Sequence, residues 1–155
     1  MSALSDGDRL PYEIGILVAL SRRALWTAAA HDLEANDFSM LVWVLLAYLV
    51  RNGPSTQRKI ATATGQHPAG VSRLLVELEE QKLVRKGRDR EDRRRARVEL
   101  TAAGRRCFEA GRPHVIGAMR SALAPLTLEE KKQLRALLSK LCPGMVIEPV
   151  RGARR

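Results

Sequence analysis

Eight basic side chains fall between Arg85 and Arg97, and Arg93, Arg94 and Arg95 stand consecutively among them. Each guanidinium presents a planar fork of donors that fits phosphate oxygens and the acceptor edge of guanine. A second group lies upstream, in TQRKIATATGQHPAGVSRLLVELEEQ. Pro68, Ala69 and Gly70 are small, so a helix beginning there can approach another surface closely. Ser72 can donate or accept a hydrogen bond, and Arg73 can fork onto guanine or phosphate. Residues 54–101 carry 12 bases against seven acids, a net +5 and half of the whole chain's +10. A charge run by itself is as readily a solvated face. Its placement beside those helices is what points to a polyanion.

The chain has 155 residues, enough for one domain with flanking elements. Hydrophobic residues make up 45% and aromatics only 4%, so aliphatic side chains must build the core. The opening MSALSDGDRL, with Asp6 and Asp8, lacks the basic start and apolar run of a secretory signal. The best apolar run, Ile14 to Leu20, stops at Arg22 and Arg23, short of the ~20 residues a membrane span needs. No membrane partner is expected. Two cysteines, Cys107 and Cys142, make no disulfide framework, which points to reducing cytoplasm.

Hydrophobic spacing and capping residues divide the chain. Tyr12 to Asp32 reads as a helix apolar nearly all round, with Ile14, Leu17, Val18, Leu25 and Ala28 on one side and Ile16, Leu20 and Trp26 on another. In a short chain a partner subunit is the natural cover. A second helix runs from about Phe38 to Arg51, with Asn36 or Asp37 as cap and Asn52-Gly53-Pro54 as stop. Ser55 to Thr64 is a third, ended by Gly65. Pro68 starts a fourth, to about Lys82, with Val71, Leu74, Leu75 and Leu78 at helical spacing. Leu83 to Lys86 and Arg95 to Leu100 read as two strands, the second with Ala96, Val98 and Leu100 inward. GRDREDRR lies between them. A long helix runs from Thr101 to about Leu123, kinked at Pro113. Thr127-Leu128-Glu129-Glu130 is a capping box that starts a last helix to about Cys142. The expected fold is mainly α (α+β): a helix–turn–helix followed by a two-stranded ribbon, with long helices on either side.

In this arrangement Ile60 and Ala61 pack under Val71, Leu74 and Leu75, and Gly65 serves the turn. The second helix of such a pair can enter a DNA major groove. Arginines at a ribbon tip suit a narrow, electronegative minor groove. Asp92 is placed to orient one of them by a charge-assisted pair.

The run VSRLLVELEEQKLVRKGRDREDRRRARVELTAAGR resembles the core of the MarR-type winged helix–turn–helix regulators. The parts come in order: Val71-Ser72-Arg73-Leu74 in the recognition helix, Leu78-Glu79 before its end, Leu83-Val84 opening the first strand, Asp89 with Asp92-Arg93-Arg94 in the wing, then Val98, Leu100-Thr101 and Ala103-Gly104. One departure is Lys82, where the family usually has glycine.

The resemblance implies a homodimer, with dimerisation helices in 1–36 and 102–145, a DNA-binding domain in 37–101 and a basic tail in 146–155. It implies one recognition helix in each major groove of a pseudo-palindrome, with half-site centres roughly 10 bp apart. Pro68, Ala69, Gly70, Ser72 and Arg73 then form the recognition face. Arg94, with Arg93 or Arg95, makes the wing contact, and Thr56 and Gln57 hold phosphates. Repression is the usual outcome, with release by a small aromatic or apolar acid. Candidate lining residues for that ligand are Trp26, His31, Trp43, Tyr48, Phe108 and Arg112. For the first, third and fifth, plain core packing is the simpler reading. His31 beside Asp32 could be a helix-end charge pair, and Arg112 a salt bridge.

No cofactor is expected. His31, His67 and His114 are scattered, and no Cys–His pair has chelating spacing, so no metal site is expected. Cys107 is expected inside a helix interface, away from redox chemistry. The chain carries no phosphate loop, dinucleotide fingerprint, H-E-x-x-H or G-x-S-x-G, and an enzyme is not expected. Two rivals remain: a winged helix that binds protein, and a sequence-independent DNA-coating protein. Three consecutive arginines argue against the first. The ratio of specific to random-DNA affinity, typically ~10³ or more for a regulator, separates the second.

Overall fold

The computed structural model describes residues 5–88 and 96–141. Six helices and two strands follow one another as α1 (Asp6–Glu34), α2 (Met40–Asn52), α3 (Gln57–Thr64), α4 (Pro68–Glu80), β1 (Val84–Arg88), β2 (Ala96–Leu100), α5 (Ala102–Ala122) and α6 (Leu128–Leu141). This matches the expected mainly helical, winged architecture.

The winged unit is built around one aliphatic core. α2 contributes Leu45, Leu46 and Leu49, α3 contributes Ile60 and Ala61, α4 contributes Val71, Leu75 and Leu78, and the ribbon adds Val84 and Val98. The α4 positions recur at four and three residues, one stripe of a helix. Leu46 and Ile60 are fully buried, and truncating such a side chain to alanine costs ~2–5 kcal/mol. A second, smaller core joins Ala29 and Leu33 of α1 to Val115 of α5, with Phe38, Met40 and Trp43 beside it.

β1 and β2 pair antiparallel, with Val84 opposite Leu100 and Arg88 opposite Ala96. Ser55 adds an isolated bridge on the far edge of β2: its N–H donates to Val98 O at 3.0 Å and its carbonyl accepts from Val98 N at 2.8 Å. Ser55 was expected to open α3. The bridge takes its backbone instead, so Thr56 caps the helix, its hydroxyl accepting from Lys59 N at 3.3 Å.

Other boundaries moved for similar local reasons. α1 begins at Asp6 and runs through Pro11, which forgoes one helical hydrogen bond. Asp37, expected as a cap of α2, closes α1 instead: it sits at φ 63°, Phe38 N reaches Leu33 O at 2.9 Å and Asp37 N reaches Glu34 O at 3.1 Å. Ser39 caps α2. In β2 the inward side is Val98, while Ala96 is exposed. The capping box at Thr127 forms: Thr127 N donates to Glu130 Oε2 at 2.7 Å and Glu130 N to Thr127 Oγ1 at 3.3 Å. The bond from Thr127 N, with a second that the Thr127 hydroxyl donates to the same oxygen at 2.8 Å, holds the Glu130 carboxyl below its ordinary range.

α1 packs on α5 through its C-terminal half. Its first half leaves Leu10, Tyr12, Ile14, Ile16, Leu17 and Leu20 exposed, and α6 leaves Leu128, Leu134, Leu137, Leu138 and Leu141 exposed. No residue of α6 is buried. Among the described residues no helix is long and apolar enough to cross a membrane.

Candidate nucleic-acid interface

The turn between α3 and α4 is held by Gly65 at φ 67°, the left-handed conformation glycine adopts without strain. His67 then caps α4, its side chain accepting from Ala69 N at 3.3 Å, and Pro68 takes the first helical position. The result is an open helix start. Pro68, Ala69, Gly70, Ser72 and Arg73 are all exposed, and no atom lies within 4 Å of a Cβ built at Gly70. Val71 and Leu75 anchor the opposite side in the core. The recognition residues expected from the sequence thus share one face, and Arg73 has no ion-pair partner among the described residues.

Thr56 and Gln57 lie where α3 meets this face. Gln57 Nε2 donates to Pro68 O at 3.3 Å, tying the two helix starts together. The Thr56 hydroxyl accepts from Lys59 N, and its own proton stays available to donate.

α4 ends in a left-handed residue, Lys82 at φ 58°. Leu83 N reaches Leu78 O at 2.8 Å and Lys82 N reaches Glu79 O at 2.9 Å, the doubly bonded helix end in which glycine is the usual occupant. The departure at Lys82 therefore leaves the turn itself intact.

The ribbon leaves α4 with its root charges already paired. Glu79 accepts from Lys86 N at 3.2 Å and meets Lys86 Nζ at 2.7 Å. These contacts, the side-chain one foremost, hold the Glu79 carboxyl below its ordinary range. Across the ladder Arg85 meets Glu99 Oε2 at 2.7 Å. That carboxylate folds over Gly87, where a Cβ would stand 2.9 Å from Glu99 Oε1. Asp92, Arg93, Arg94 and Arg95 lie outside the described residues.

Two of the six candidate ligand residues meet directly. Trp43 and Phe108 stack with centroids 5.3 Å apart, and Trp43 Nε1 donates to Phe108 O at 3.2 Å. Gly111 lets the indole close in: a Cβ there would come 2.8 Å from Trp43 Cδ1. The pair is packing between α2 and α5. Arg112 bonds Glu109 at 2.7 Å on its own helix. Trp26 is half-buried on α1, Tyr48 faces α3, and His31 is exposed beside two surface grooves of about 630 and 660 Å³. Burial raises the Cys107 thiol pKa, which opposes thiolate formation. Among the described residues no three His, Cys, Asp or Glu side chains group as metal ligands. Cys142 lies outside the described residues.

Arg58 and Lys59 were counted in the sequence only as charge. The structure sets them, with Arg97, along one groove beside Thr56. The available signal was local: the first turn of α3 holds bases and no acid.

A helix–turn–helix with an open second helix, continued by a paired ribbon, defines a winged-helix protein of the DNA-binding type. A family model described as "MarR family" matches residues 36–95. An uncharacterized HTH-type transcriptional regulator of Bacillus subtilis, YwaE, is 29% identical over 119 residues, 76% of this chain and 66% of that protein. The chain thus spans just under two thirds of that relative. A probable transcriptional regulator from Pseudomonas aeruginosa, of solved structure, is 30% identical with a TM-score of 0.68, over 85% of this chain and 98% of that one. BpsR of Bordetella bronchiseptica, solved to explain regulation of its DNA binding by 6-hydroxynicotinic acid, has a TM-score of 0.70 at 23% identity, over 83% of this chain and 98% of that one. At that identity the likeness concerns the fold. The chain belongs to the MarR family of winged-helix transcriptional regulators, which are not enzymes.

Proposed function

We propose that the protein binds duplex DNA as a homodimer and reads a pseudo-palindromic operator, with one α4 in each of two successive major grooves. The observation that carries this reading is the exposed face of Pro68, Ala69, Gly70, Ser72 and Arg73, backed by a fully apolar anchor. Ser72 and Arg73 reach base edges, and Thr56 and Gln57 hold the adjoining backbone. Arg93, Arg94 and Arg95, oriented by Asp92, enter the flanking minor groove. The exposed aliphatic rows of α1 and α6 support dimerisation, since rows of that size are rarely left to water. The helices of 1–36 and 102–145 form the dimer, and 37–101 the DNA-binding unit. A dimer lying over two turns of duplex excludes other proteins from it, so repression is the proposed outcome.

A small aromatic or apolar acid releases the DNA. The Bordetella relative's response to 6-hydroxynicotinic acid supports this. Such a ligand acts only through unequal affinity for the DNA-competent and incompetent dimers.

The test is selection of bound sequences from a random duplex pool by the purified chain, repeated at two salt concentrations. A recovered pseudo-palindrome is the expected outcome. No enrichment, with binding that collapses in salt, overturns the regulator reading in favour of sequence-independent DNA coating.

A further inference from the structure

A groove of about 750 Å³ opens between the end of α2, the start of α3 and strand β2. Tyr48, Asn52, Thr56, Arg58, Lys59 and Arg97 supply its polar wall, and none of its lining residues is acidic. The groove has a defined relation to the open face of α4. Thr56 is its rim. The next residue, Gln57, is hydrogen-bonded to Pro68, and the preceding one, Ser55, is bridged to Val98 of β2. The groove therefore lies on the segment between α2 and α3, which is hydrogen-bonded to β2 on one side and to the start of the recognition helix on the other.

Two features of α3 are unfavourable for the free protein. Arg58 and Lys59 occupy the second and third helical positions, at the positive end of the helix dipole, with no acid in that turn. Neither has an ion-pair partner among the described residues. Lys59 also stands where a capping threonine is best followed by Glu or Gln. A local rule broken twice, in a groove without acids, fits a site that is completed by an external anion.

We propose that this groove seats the phosphodiester backbone of one DNA strand between the major groove read by α4 and the minor groove reached by the ribbon, with Arg58 and Lys59 as its phosphate ligands. The proposal rests on the DNA-binding reading above and adds to it the path of the strand and two residues that set affinity without reading sequence.

Full-length wild type is compared with the Arg58→Gln/Lys59→Gln double variant and with Lys59→Glu, on operator and random duplex across a salt series. Each phosphate contact contributes about 0.9 to the slope of log K against log salt. The double variant is expected to lower that slope by about 1.8 per protomer and to weaken both duplexes by the same factor. Lys59→Glu is expected to raise Tm, because it completes a capping box with Thr56, and to weaken DNA binding further. Unchanged slope and affinity in both variants overturn the groove while leaving the regulator reading intact. So does a loss confined to the operator, or DNA binding lost only together with Tm. A wild type raised in Tm by inorganic phosphate, with the double variant unresponsive and DNA binding equal, overturns it in favour of a small-anion pocket. A wild type that ignores duplex altogether overturns the regulator reading itself.

Discussion

The Thr101 hydroxyl lies 2.7 Å from the carbonyl of Lys82 and 3.0 Å from that of Leu83, the two residues that close the recognition helix. The same oxygen accepts from Gly104 N at 3.0 Å and caps α5. One side chain thus joins the end of α4, the outgoing strand β2 and the first turn of α5. Any rotation of α5 against the winged unit must act on this joint.

Removing Thr101 should loosen both ends at once. Thr101→Val keeps the shape, loses the cap and the tie to Lys82, and should cost ~1–2 kcal/mol by chemical unfolding. Gly104→Ala should do at least as much damage, since its Cβ would stand 2.1 Å from Leu83 O, a backbone atom that cannot move aside cheaply. A neutral Gly104→Ala variant would show that α5 and the β1 start are not in this contact.

Lys82→Gly should stabilise the protein. A side chain at φ 58° costs roughly 1–2 kcal/mol in the left-handed region, and glycine's greater freedom when unfolded returns part of that gain. The net expectation is ~0.5–1 kcal/mol more stability by denaturant titration. A lower midpoint for Lys82→Gly would mean that the lysine stem makes a contact worth more than the strain.

The ion pair of Glu79 and Lys86 should be visible in the pH dependence of stability. The Glu79 carboxyl is held below its ordinary value of 4.5, first by the hydrogen bond from the Lys86 side chain. A depressed pKa stabilises the fold above the unfolded value, and the contribution is lost as pH falls through the folded one. The Tm difference between wild type and Glu79→Gln should therefore be largest near neutrality and shrink below pH 4.5. A difference that stays constant from neutral to acid pH would assign the effect to packing.

On DNA, Arg73 and the ribbon arginines should fail differently. Arg73→Ala should cost ~1–3 kcal/mol and relax preference at one operator position, read by repeating the sequence selection. Arg94→Ala should weaken all duplexes and flatten the salt dependence. If Arg73→Ala lowers affinity with specificity intact, Arg73 is a phosphate contact.

The order and type of the elements were legible in the chain because their signals are local. Pro68 at a helix start, Gly65 after α3 and the Thr127–Glu130 box act over three or four residues, and each appears where its spacing placed it. The motif from Val71 to Gly104 was equally readable, since a short helix, turn and ribbon are specified by neighbours. What only the tertiary structure decided involves partners far apart in sequence. Ser55 left α3 because Val98, on the second strand of the ribbon, claimed its backbone. Trp43 and Phe108, candidates for a ligand wall, face each other because Gly111 and its neighbours bring α5 against α2. Lys82 holds a glycine's conformation because the bonds to Leu78 and Glu79 and the Thr101 tie outweigh the strain of one residue. Arg58 and Arg97 line one groove only once α3 has docked on β2. Helical periodicity carries no information about such encounters; they follow from which apolar faces must be buried together.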